Sequence, residues 1–369
     1  VSALRNAGLG CRAAPDPGTV VSGVSADSRT IAGGELFIAL PGSRVRGGHY
    51  LGAALKAGAT AVVCEPGDAD GFESKALVVG DALAAAGVVA STFFGRPSSR
   101  MSLVGVTGTN GKTSTTHILE SIWYAAQAKP GIIGTVAVRC PGFQRPAAMT
   151  TPGVVELHAT LAAMVEAGCN RAALEVSSHA LDQRRVAGCD FAAAVFTNLS
   201  RDHLDYHGDE DSYFEAKARL FTEHLAPGAV AVVNIDDPRG RLLCRRLGGR
   251  DLWTYSLNGA PGARVSLSDF SDGPSGQRLA MKMEGRHLRV ESRLIGEPNL
   301  ANTVAAAATA AALGVDAAAI TDGLARCMPV PGRMELIDDR RAAVFVDYAH
   351  TPDALRRTLA ALRPLTASR

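Results

Sequence analysis

The sequence predicts an α/β protein whose central sheet is mostly parallel. Strand-like runs alternate with helix-like runs along the middle of the chain. The strands are expected at 102–106, 171–176, 192–197 and 229–234, and the helices at 113–126, 154–167 and 211–221. Such alternation is typical of parallel sheets, which present ligand-binding groups at the carboxyl ends of their strands.

The first of these strands leads into the stretch VGVTGTNGKTSTT, which has the layout of a phosphate-binding loop. Gly108 and Gly111 let backbone amides converge on phosphate oxygens, and the next helix carries a partial positive charge at its N-terminus. Lys112 would add a charge near the terminal phosphates, and Thr113 a hydroxyl near Mg²⁺. The strict G-x4-G-K-[ST] pattern requires glycine where this chain has Val106, so the match differs at one position. Strand, turn, Gly-Lys-Thr and helix together favour nucleotide binding over an ordinary turn.

Composition excludes several other classes of protein. The chain has 369 residues, 47% of them hydrophobic and 20% charged, which is ordinary for a globular protein of two or three domains. A net charge of +2 without a Lys/Arg run argues against broad nucleic-acid binding. Seven cysteines without a C-x-x-C pair fit neither a disulfide framework nor a zinc knuckle. No apolar run suits a membrane span and no signal peptide is recognisable, so we expect a cytoplasmic protein without membrane insertion.

Breaker stretches predict three domains. FFGRPSSR and PVPGRM separate an N-terminal domain at 1–99, a central domain at 100–333 and the start of a C-terminal domain at 334–369. Within the central domain, 263–295 is expected to form short antiparallel strands, followed by an Ala-rich helix at Asn302–Leu313. A strand at Ala343–Asp347 and a helix at Thr351–Leu362 open the last domain. Because the chain lacks an initiator Met and stops soon afterwards, we expect truncation at both ends.

Two further stretches carry potential ligands. In ALEVSSHAL, Glu175 ends a strand where a nucleotide-binding sheet places a group that meets Mg²⁺, although it could instead cap the next helix. In FTNLSRDHLDYHG, acidic and histidine side chains could bind a divalent metal, or the aspartates could hold a turn. A mixture of the two roles is expected. The residues concerned are Asn198, Asp202, His203, Asp205 and His207.

Several stretches in fixed order resemble the Mur ligases, and within them the MurE-type tripeptide synthetases. They are GVTGTNGKTSTT, TTPG, LEVSSHAL, TNLSRDHLDYHG, EAKARLF, NIDDP, GEPNLANTVAA, PGRMELI and VDYAHTPDAL. The similarity runs from about Asp27 to Leu355. EVSSHAL and DYAHTPDAL favour this branch over the other Mur ligases and over the related folylpolyglutamate synthetases.

The resemblance implies a three-domain Mur ligase architecture with a P-loop ATPase-like central sheet and a Rossmann-like C-terminal domain that is mostly missing here. It implies an ADP-forming amide ligase of cytoplasmic peptidoglycan precursor synthesis, using ATP and Mg²⁺ and acting as a monomer. The enzyme would add a diamino acid, expected to be meso-diaminopimelate, to the D-Glu of UDP-MurNAc-L-Ala-D-Glu through an acyl phosphate. L-lysine addition, or another Mur or folylpolyglutamate-type reaction, stays an alternative, because the specificity stretch of the family would follow Arg369.

The resemblance also implies the ATP and metal residues. The phosphate loop would comprise Thr109, Asn110, Gly111, Lys112, Thr113 and Ser114, and further ATP contacts would come from Asn299, Asn302, Arg333 and Asp347. Metal ligands would be Thr113, Glu175, His203 and Lys217, and Lys112 would join the last three in catalysis. Lys217 matches a lysine that the family carbamylates. The modification is needed because an unmodified ammonium about 4 Å from Mg²⁺ would be repelled by roughly 8 kcal/mol at an effective dielectric near 20. Without the resemblance, Lys217 would be taken as an exposed helix lysine, and the two asparagines as helix caps.

Substrate contacts are implied in the same way. They are Ser28, Arg29, Thr150, Thr151, Ser177, Gln183 and Arg185. A guanidinium such as that of Arg185 suits an anionic group because it is a planar two-pronged donor. Thr151 and Pro152 could also start a helix as its N-cap and first residue. Arg184 could be a surface neighbour.

Two functions from other classes remain open at this point. A P-loop module that uses ATP as a switch would hydrolyse ATP without a muropeptide. A metallohydrolase centred on DHLDYH would work without ATP. Activity that survives Lys112→Ala would favour the hydrolase.

Overall fold

The computed structural model describes residues 1–12, 15, 16, 18–42, 45–273, 276–338, 340 and 342–365. They divide into two compact units, each interrupted in sequence by the other. The first unit contains Val1–Arg100, Pro152–Ala163 and Asp182–Cys189, and the second contains Met101–Thr151, Met164–Leu181 and Asp190–Arg369.

The first unit is built on a five-stranded sheet. Its strands are β1 (Cys11–Arg12), β2 (Gly23–Ser25), β3 (Glu35–Ile38), β4 (Ala61–Cys64) and β5 (Ala76–Val79), in the order β1-β5-β4-β3-β2. All pairings are parallel except that of β1 with β5. Strands β4 and β5 are buried throughout, as apolar runs in parallel sheets usually are. Its complete helices are α1 (Ser2–Asn6), α2 (Leu51–Lys56) and α3 (Ala82–Phe93).

The second unit is built on an eleven-stranded sheet. Its strands are β6 (Ser102–Thr107), β7 (Pro130–Ile133), β8 (Ala137–Cys140), β9 (Phe143–Pro146), β10 (Arg171–Glu175), β11 (Phe191–Phe196), β12 (Leu225–Asn234), β13 (Asp251–Ser256), β14 (Val265–Gly273), β15 (Gly276–Met283) and β16 (Arg286–Ser292). The order is β16-β15-β14-β13-β12-β11-β6-β10-β7-β8-β9. From β14 to β7 every neighbouring pair is parallel, and antiparallel hairpins extend both edges. A separate antiparallel pair joins β17 (Glu335–Asp338) and β18 (Val344–Val346).

The remaining helices connect these strands. They are α4 (Lys112–Ala125), α5 (Val154–Glu166), which begins in the first unit, α6 (Ser178–Asp182), α7 (Leu204–His207), α8 (Glu210–Thr222), α9 (Pro238–Arg246), α10 (Glu297–Ala312), α11 (Ala317–Arg326) and α12 (Pro352–Leu362). None of the helices in the described ranges is long and apolar enough to cross a membrane.

Helices α4, α10 and α11 share the main hydrophobic core with the sheet. Trp123 of α4 and the run 305–308 of α10, which is all alanine, are fully buried there. Close approach is required in this layer, because a side chain at Gly323 of α11 would collide with the backbone of Ile122. Small side chains on α10 and α11 therefore let three helices pack over the strands that lead to the phosphate loop.

The predicted strands and helices of the parallel block are present, with two corrections. Helix α10 begins at Glu297, before the predicted start at Asn302, because Pro298 occupies its first turn and Gly296 precedes it with φ +86°. The segment 263–295 forms strands of nine, eight and seven residues, so the expectation of short strands was wrong. In the second unit, the elements not predicted from the sequence are β7 to β9, β13, β17, α6, α7, α9 and α11.

Gly105 in β6 provides a test of packing in this sheet. A Cβ at this position would lie 2.8 Å from Cε1 of Phe191 and 3.1 Å from Cδ1 of Leu220, both buried side chains. Gly105→Ala should therefore destabilise the fold by about 1–3 kcal/mol through overpacking. Scanning calorimetry should show a lower melting temperature. Gly248→Ala is the control, because the nearest atom to its new Cβ is 3.7 Å away, and equal melting temperatures for the two variants would contradict the packing argument.

Candidate active site

The second unit contains a cavity of about 290 Å³ that brings most of the predicted ATP and metal residues together. Its lining includes the whole phosphate loop from Thr109 to Ser114, along with Glu175 and His203. The other lining residues are Thr135, Thr150, Ser177, Asp202, Pro298, Asn299, Asn302, Arg333, Met334, Asp347, Tyr348, Ala349, His350, Ala354, Arg357 and Thr358.

The end of β11 holds the phosphate loop in place. The backbone amide of Asn110 donates to Oδ1 of Asn198 at 3.0 Å, and Nδ2 of Asn198 donates back to the Asn110 carbonyl at 3.1 Å. The Thr197 hydroxyl donates to the same carbonyl at 2.6 Å. Asn198 was grouped with metal-binding candidates in the sequence, but its amide serves to hold the loop.

Gly108 and Gly111 are required by geometry. Their φ angles are +148° and +91°, which L side chains rarely adopt. A Cβ on Gly108 would also overlap the Thr197 hydroxyl, and one on Gly111 would overlap Oδ1 of Asn302. The loop can therefore lie this close to β11 and α10 only with glycine at both positions.

Lys112 and Lys217 donate to the same acceptor, the carbonyl oxygen of Gly108, at 2.8 and 2.9 Å. Lys112 also donates to the Thr109 carbonyl at 2.9 Å. Lys217 is only 1% exposed, so the alternative of an exposed helix lysine is excluded. Burial, and then repulsion by Lys112, hold the pKa of Lys217 well below its ordinary value.

Glu175 is the buried carboxylate of the cavity. Its Oε2 accepts from the Thr113 hydroxyl at 2.8 Å and from the Thr135 hydroxyl at 3.1 Å, and its Oε1 accepts from the Thr135 amide at 2.7 Å. Burial raises the pKa of Glu175, although these bonds and Lys112 oppose the change. The alternative that Glu175 caps the next helix was wrong, because the Ser177 hydroxyl accepts a hydrogen bond from the Ala180 amide at the start of α6.

Thr135 was missed by the sequence analysis. It follows β7, which is the neighbour of β10 in the sheet, so both strands deliver their last residues to the same edge. The stretch GIIGT before it carries the signal of a buried strand ended by glycine. Recognising that strand would have placed Thr135 next to Glu175.

His203 lies at the cavity wall in a left-handed conformation with φ +52°. Its backbone amide donates to Oδ1 of Asp202 at 2.9 Å. Its ring packs edge-on against the ring of His179, with 4.8 Å between the two ring centres. Burial lowers the pKa of His203, against the opposing charge of Asp202. Among the described residues no cluster of three or more His, Cys, Asp or Glu could hold a metal ion, so the metal-ligand set stays a prediction.

Asn299 and Asn302 lie inside α10, not at its cap, so the cap alternative was wrong. Asn299 donates to the Ile295 carbonyl at 2.9 Å. Arg333 places Nη2 3.4 Å from the Thr113 hydroxyl and its guanidinium 4.7 Å from the Tyr348 ring. Tyr348, which the sequence analysis did not single out, therefore holds Arg333 at the cavity.

Asp347 joins the linker to the last segment of the chain. Its carboxylate accepts from the backbone amides of Met334 and Ala349 at 2.8 and 2.9 Å, and from the Thr358 hydroxyl at 3.1 Å. These bonds bring α12 to the cavity wall. Direct contact of Asp347 with ATP remains a prediction.

The predicted substrate residues of the second unit surround Glu175. The Thr150 hydroxyl lies 3.0 Å from the Thr135 hydroxyl. Thr151 is buried; its hydroxyl donates to the Glu175 carbonyl at 2.8 Å and accepts the Ser177 amide at 3.1 Å. Thr151 is therefore not the N-cap of α5, because the first backbone hydrogen bond of that helix runs from the Leu157 amide to the Gly153 carbonyl.

Four predicted substrate residues belong to the first unit. Ser28 and Arg29 form a single 3-10 turn after Asp27, and Arg29 makes a two-pronged ion pair with the Asp27 carboxylate. Oε1 of Gln183 accepts from Nε and Nη2 of Arg185 at 3.0 and 2.6 Å. Their roles in substrate binding stay predictions. Arg184, expected to be a surface neighbour, forms an exposed ion pair with Asp81.

A glycine-dependent phosphate loop at the carboxyl end of a parallel sheet, with a buried carboxylate and a buried lysine beside it, defines an ATP-binding α/β enzyme. The family models identify which one. The Mur ligase middle domain matches residues 106–310, the Mur ligase family catalytic domain matches 20–93, and the Mur ligase glutamate ligase domain matches 332–369. The chain belongs to the Mur ligase family.

Individual relatives agree. The chain is 45% identical over 370 residues to the UDP-N-acetylmuramoyl-L-alanyl-D-glutamate–2,6-diaminopimelate ligase of Gloeobacter violaceus, covering 99% of this chain and 74% of that protein. It is 41% identical to the ligase of the same name from Synechocystis, and the match covers 96% of this chain and 71% of that protein. A solved structure of a 2,6-diaminopimelate ligase of this name superposes with a TM-score of 0.81 at 31% identity, covering 95% of this chain and 71% of that one.

The predicted family resemblance, fold class and enzyme class are confirmed by these comparisons. Mur ligases are ATP-dependent ligases, so the predicted use of ATP is confirmed at the level of the family. The predicted domain boundaries and the roles of individual site residues stay predictions.

The hydrogen bonds of Thr135 to Glu175 lead to a pH test. Thr135→Val removes the hydroxyl donor but keeps the amide donor, so it should raise the pKa of Glu175 further. If ionised Glu175 is needed for activity, the acid limb of the kcat/KM profile should move to higher pH. Thr150→Val is the matched control, since the Thr150 hydroxyl contacts the hydroxyl of Thr135 rather than the carboxylate. An unchanged acid limb in Thr135→Val would contradict this role of the hydroxyl.

Proposed function

We propose that this protein is an ATP-dependent amide ligase that adds meso-diaminopimelate to the D-Glu carboxylate of UDP-MurNAc-L-Ala-D-Glu in the cytoplasm. The reaction is a step of peptidoglycan precursor synthesis. The names and 40–45% identity of relatives that share most of the chain support this substrate pair. The observation on which the proposal chiefly depends is the cavity where the phosphate loop faces Glu175 and His203.

The chemistry suits this cavity. A D-Glu carboxylate oxygen attacks the γ-phosphorus of ATP, ADP leaves, and an acyl phosphate forms. The neutral amine of the diamino acid then attacks the acyl carbon, and the tetrahedral intermediate releases phosphate to give the amide. Phosphoryl transfer asks a protein chiefly to position reactants and to stabilise spreading negative charge.

The phosphate loop supplies much of that positioning. Backbone amides after Gly108, the N-terminus of α4 and the ammonium of Lys112 would bind the β- and γ-phosphates. Lys112 already lies over the loop, bonded to the carbonyls of Gly108 and Thr109. Binding of a triphosphate would replace these carbonyl partners with phosphate oxygens. Asn299, Asn302, Arg333 and Asp347, which line the same cavity, would contact the rest of the nucleotide.

The residues present suit Mg²⁺. Glu175 is a buried carboxylate, and the Thr113 hydroxyl lies 2.8 Å from it, so two hard oxygen donors already face the same cavity. Thr113, Glu175, His203 and a carbamate on Lys217 would hold the ion. When bound, Mg²⁺ would neutralise charge on the phosphates.

Lys217 is suited to carbamylation. The amine must be neutral to react with carbon dioxide, and burial beside Lys112 lowers its pKa in that direction. The reaction joins the amine nitrogen to the carbon of carbon dioxide and releases one proton. The product is an anionic oxygen donor in place of a cation, which removes the repulsion that an ammonium would feel near a divalent ion.

The family resemblance implies substrate contacts in each unit. Thr150, Thr151 and Ser177 line or support the cavity next to Glu175. Ser28 and Arg29 would contact the uridine diphosphate, and Gln183 and Arg185 the diphosphate, sugar or peptide. The paired donors of Arg29 and Arg185 are suited to such anionic groups.

The proposed activity is tested by offering the enzyme ATP, UDP-MurNAc-L-Ala-D-Glu and an equal mixture of meso-diaminopimelate and L-lysine. Mass spectrometry of the product should show the diaminopimelate tripeptide. A lysine tripeptide would overturn the assigned amino acid, and ATP hydrolysis without muropeptide would favour the switch module.

Lys217→Ala tests the carbamate. The variant should lower muropeptide-dependent ADP formation by several powers of ten, each of which corresponds to about 1.4 kcal/mol of transition-state stabilisation. Added bicarbonate should not restore activity, because alanine has no amine to carbamylate. Lys282→Ala, on the exposed side of β15, is the control and should behave as wild type. Full activity of Lys217→Ala would exclude the role.

A further inference from the structure

Tyr213, in the first half of α8, lies behind the phosphate loop and is only 1% exposed. It does not line the cavity, and it carries no charge that could bind a phosphate or a metal. Its hydroxyl and ring nevertheless contact several groups of the proposed ATP site.

The first contact joins Tyr213 to the phosphate loop. Its hydroxyl lies 3.2 Å from the hydroxyl of Thr109, in a buried position. The Thr109 hydroxyl also accepts the Ser200 amide at 3.0 Å and donates to the Ser200 carbonyl at 3.2 Å. The phenol therefore adds a tether between α8 and the start of the loop.

The second contact is with Lys217, one helical turn further along α8. Nζ of Lys217 lies 4.4 Å from the centre of the Tyr213 ring. The ring occupies the space on one side of the lysine side chain and so limits the positions that the side chain can adopt. The ring and the Gly108 carbonyl thus hold Nζ from two sides.

The third contact is with the histidines that follow β11. The centre of the Tyr213 ring lies 6.1 Å from the centre of the His203 ring and 5.2 Å from that of the His207 ring. Nε2 of His207 is hydrogen-bonded to the Ser178 hydroxyl at 2.9 Å. His203 has a left-handed backbone, which persists only when surrounding structure holds it. Tyr213 is part of that surrounding structure.

We propose that Tyr213 is a positioning residue that holds Thr109, Lys217 and His203 in the relative positions needed to bind ATP and its metal ion. This role rests on the proposed ligase function. The hydroxyl fixes the loop, and the ring fixes the lysine and histidine. The neighbouring Phe214 has no such role, because its ring contacts Phe196 and lies under Arg239 and Arg246.

The two parts of the side chain can be tested separately. Tyr213→Phe removes the hydroxyl alone and should weaken ADP binding about three- to tenfold, the effect of one hydrogen bond. Tyr213→Leu also removes the ring and should lower kcat by a further factor of about a hundred, because small displacements of catalytic groups are costly. The phenylalanine variant should retain most of kcat while its KM for ATP rises.

ADP binding is measured by titration calorimetry with EDTA present, so that the loop is assessed without metal. Phe214→Leu is the matched control, because Phe214 is one residue away and equally buried. Its ADP affinity should stay within about twofold of wild type, since the ring contacts Phe196, Arg239 and Arg246. Melting temperatures of all variants identify any loss that reflects stability alone. Combining Tyr213→Phe with Thr109→Val should weaken ADP binding no more than Thr109→Val does by itself.

The inference is overturned if Tyr213→Phe and Tyr213→Leu both bind ADP and turn over as wild type does. It is also overturned if their losses match that of Phe214→Leu, or if the two hydroxyl changes are additive. Failure of the proposed function would be seen differently, because the wild-type protein itself would then form no tripeptide from ATP, UDP-MurNAc-L-Ala-D-Glu and the diamino acid.

Discussion

The carbonyl oxygen of Gly108 accepts hydrogen bonds from two lysine side chains, and the rest of the site depends on this arrangement. It brings two amines together behind a loop whose amides already favour anions. Burial disfavours the charged form of Lys217, and repulsion by the neighbouring Lys112 adds to this effect, so the Lys217 amine is driven towards its neutral form. Burial also lowers the pKa of Lys112, but Glu175 opposes that change, whereas Lys112 itself lowers the pKa of Lys217 further.

This arrangement is possible only because the loop is held very close to its neighbours. Thr197 and Asn198 bond to the loop from β11, and glycine at 108 and 111 removes the side chains that would prevent the approach. On the other side, Glu175 is held by three donors before any ligand arrives. The charged groups are therefore oriented in advance, which is how an enzyme avoids the cost of reorganisation during phosphoryl transfer. The proposed role of Tyr213 extends the same principle to the helix behind the loop.

Much of the parallel sheet could be predicted because buried parallel strands are continuous apolar runs, as in the strand before the phosphate loop. The hairpin from β7 to β9 was missed because it is short and contains Pro130, Gly131 and exposed polar residues, which resemble a loop. With β7 missing, Thr135 could not be placed beside Glu175. The start of α10 was misjudged because Asn299 and Asn302 resemble capping residues, whereas both asparagines lie inside the helix and face the cavity.

The sequence by itself determined the class of chemistry: a glycine-lysine-threonine turn between a strand and a helix has few uses other than binding phosphate. The ordered motifs also determined the family. Only the tertiary structure decided the chemical state that each side chain favours. Burial, shared acceptors and nearby charge depend on residues far apart in sequence, as when Lys217 meets Gly108 or Thr113 meets Glu175. A local pattern shows which groups are available, but the free energy of a charge depends on everything around it in space.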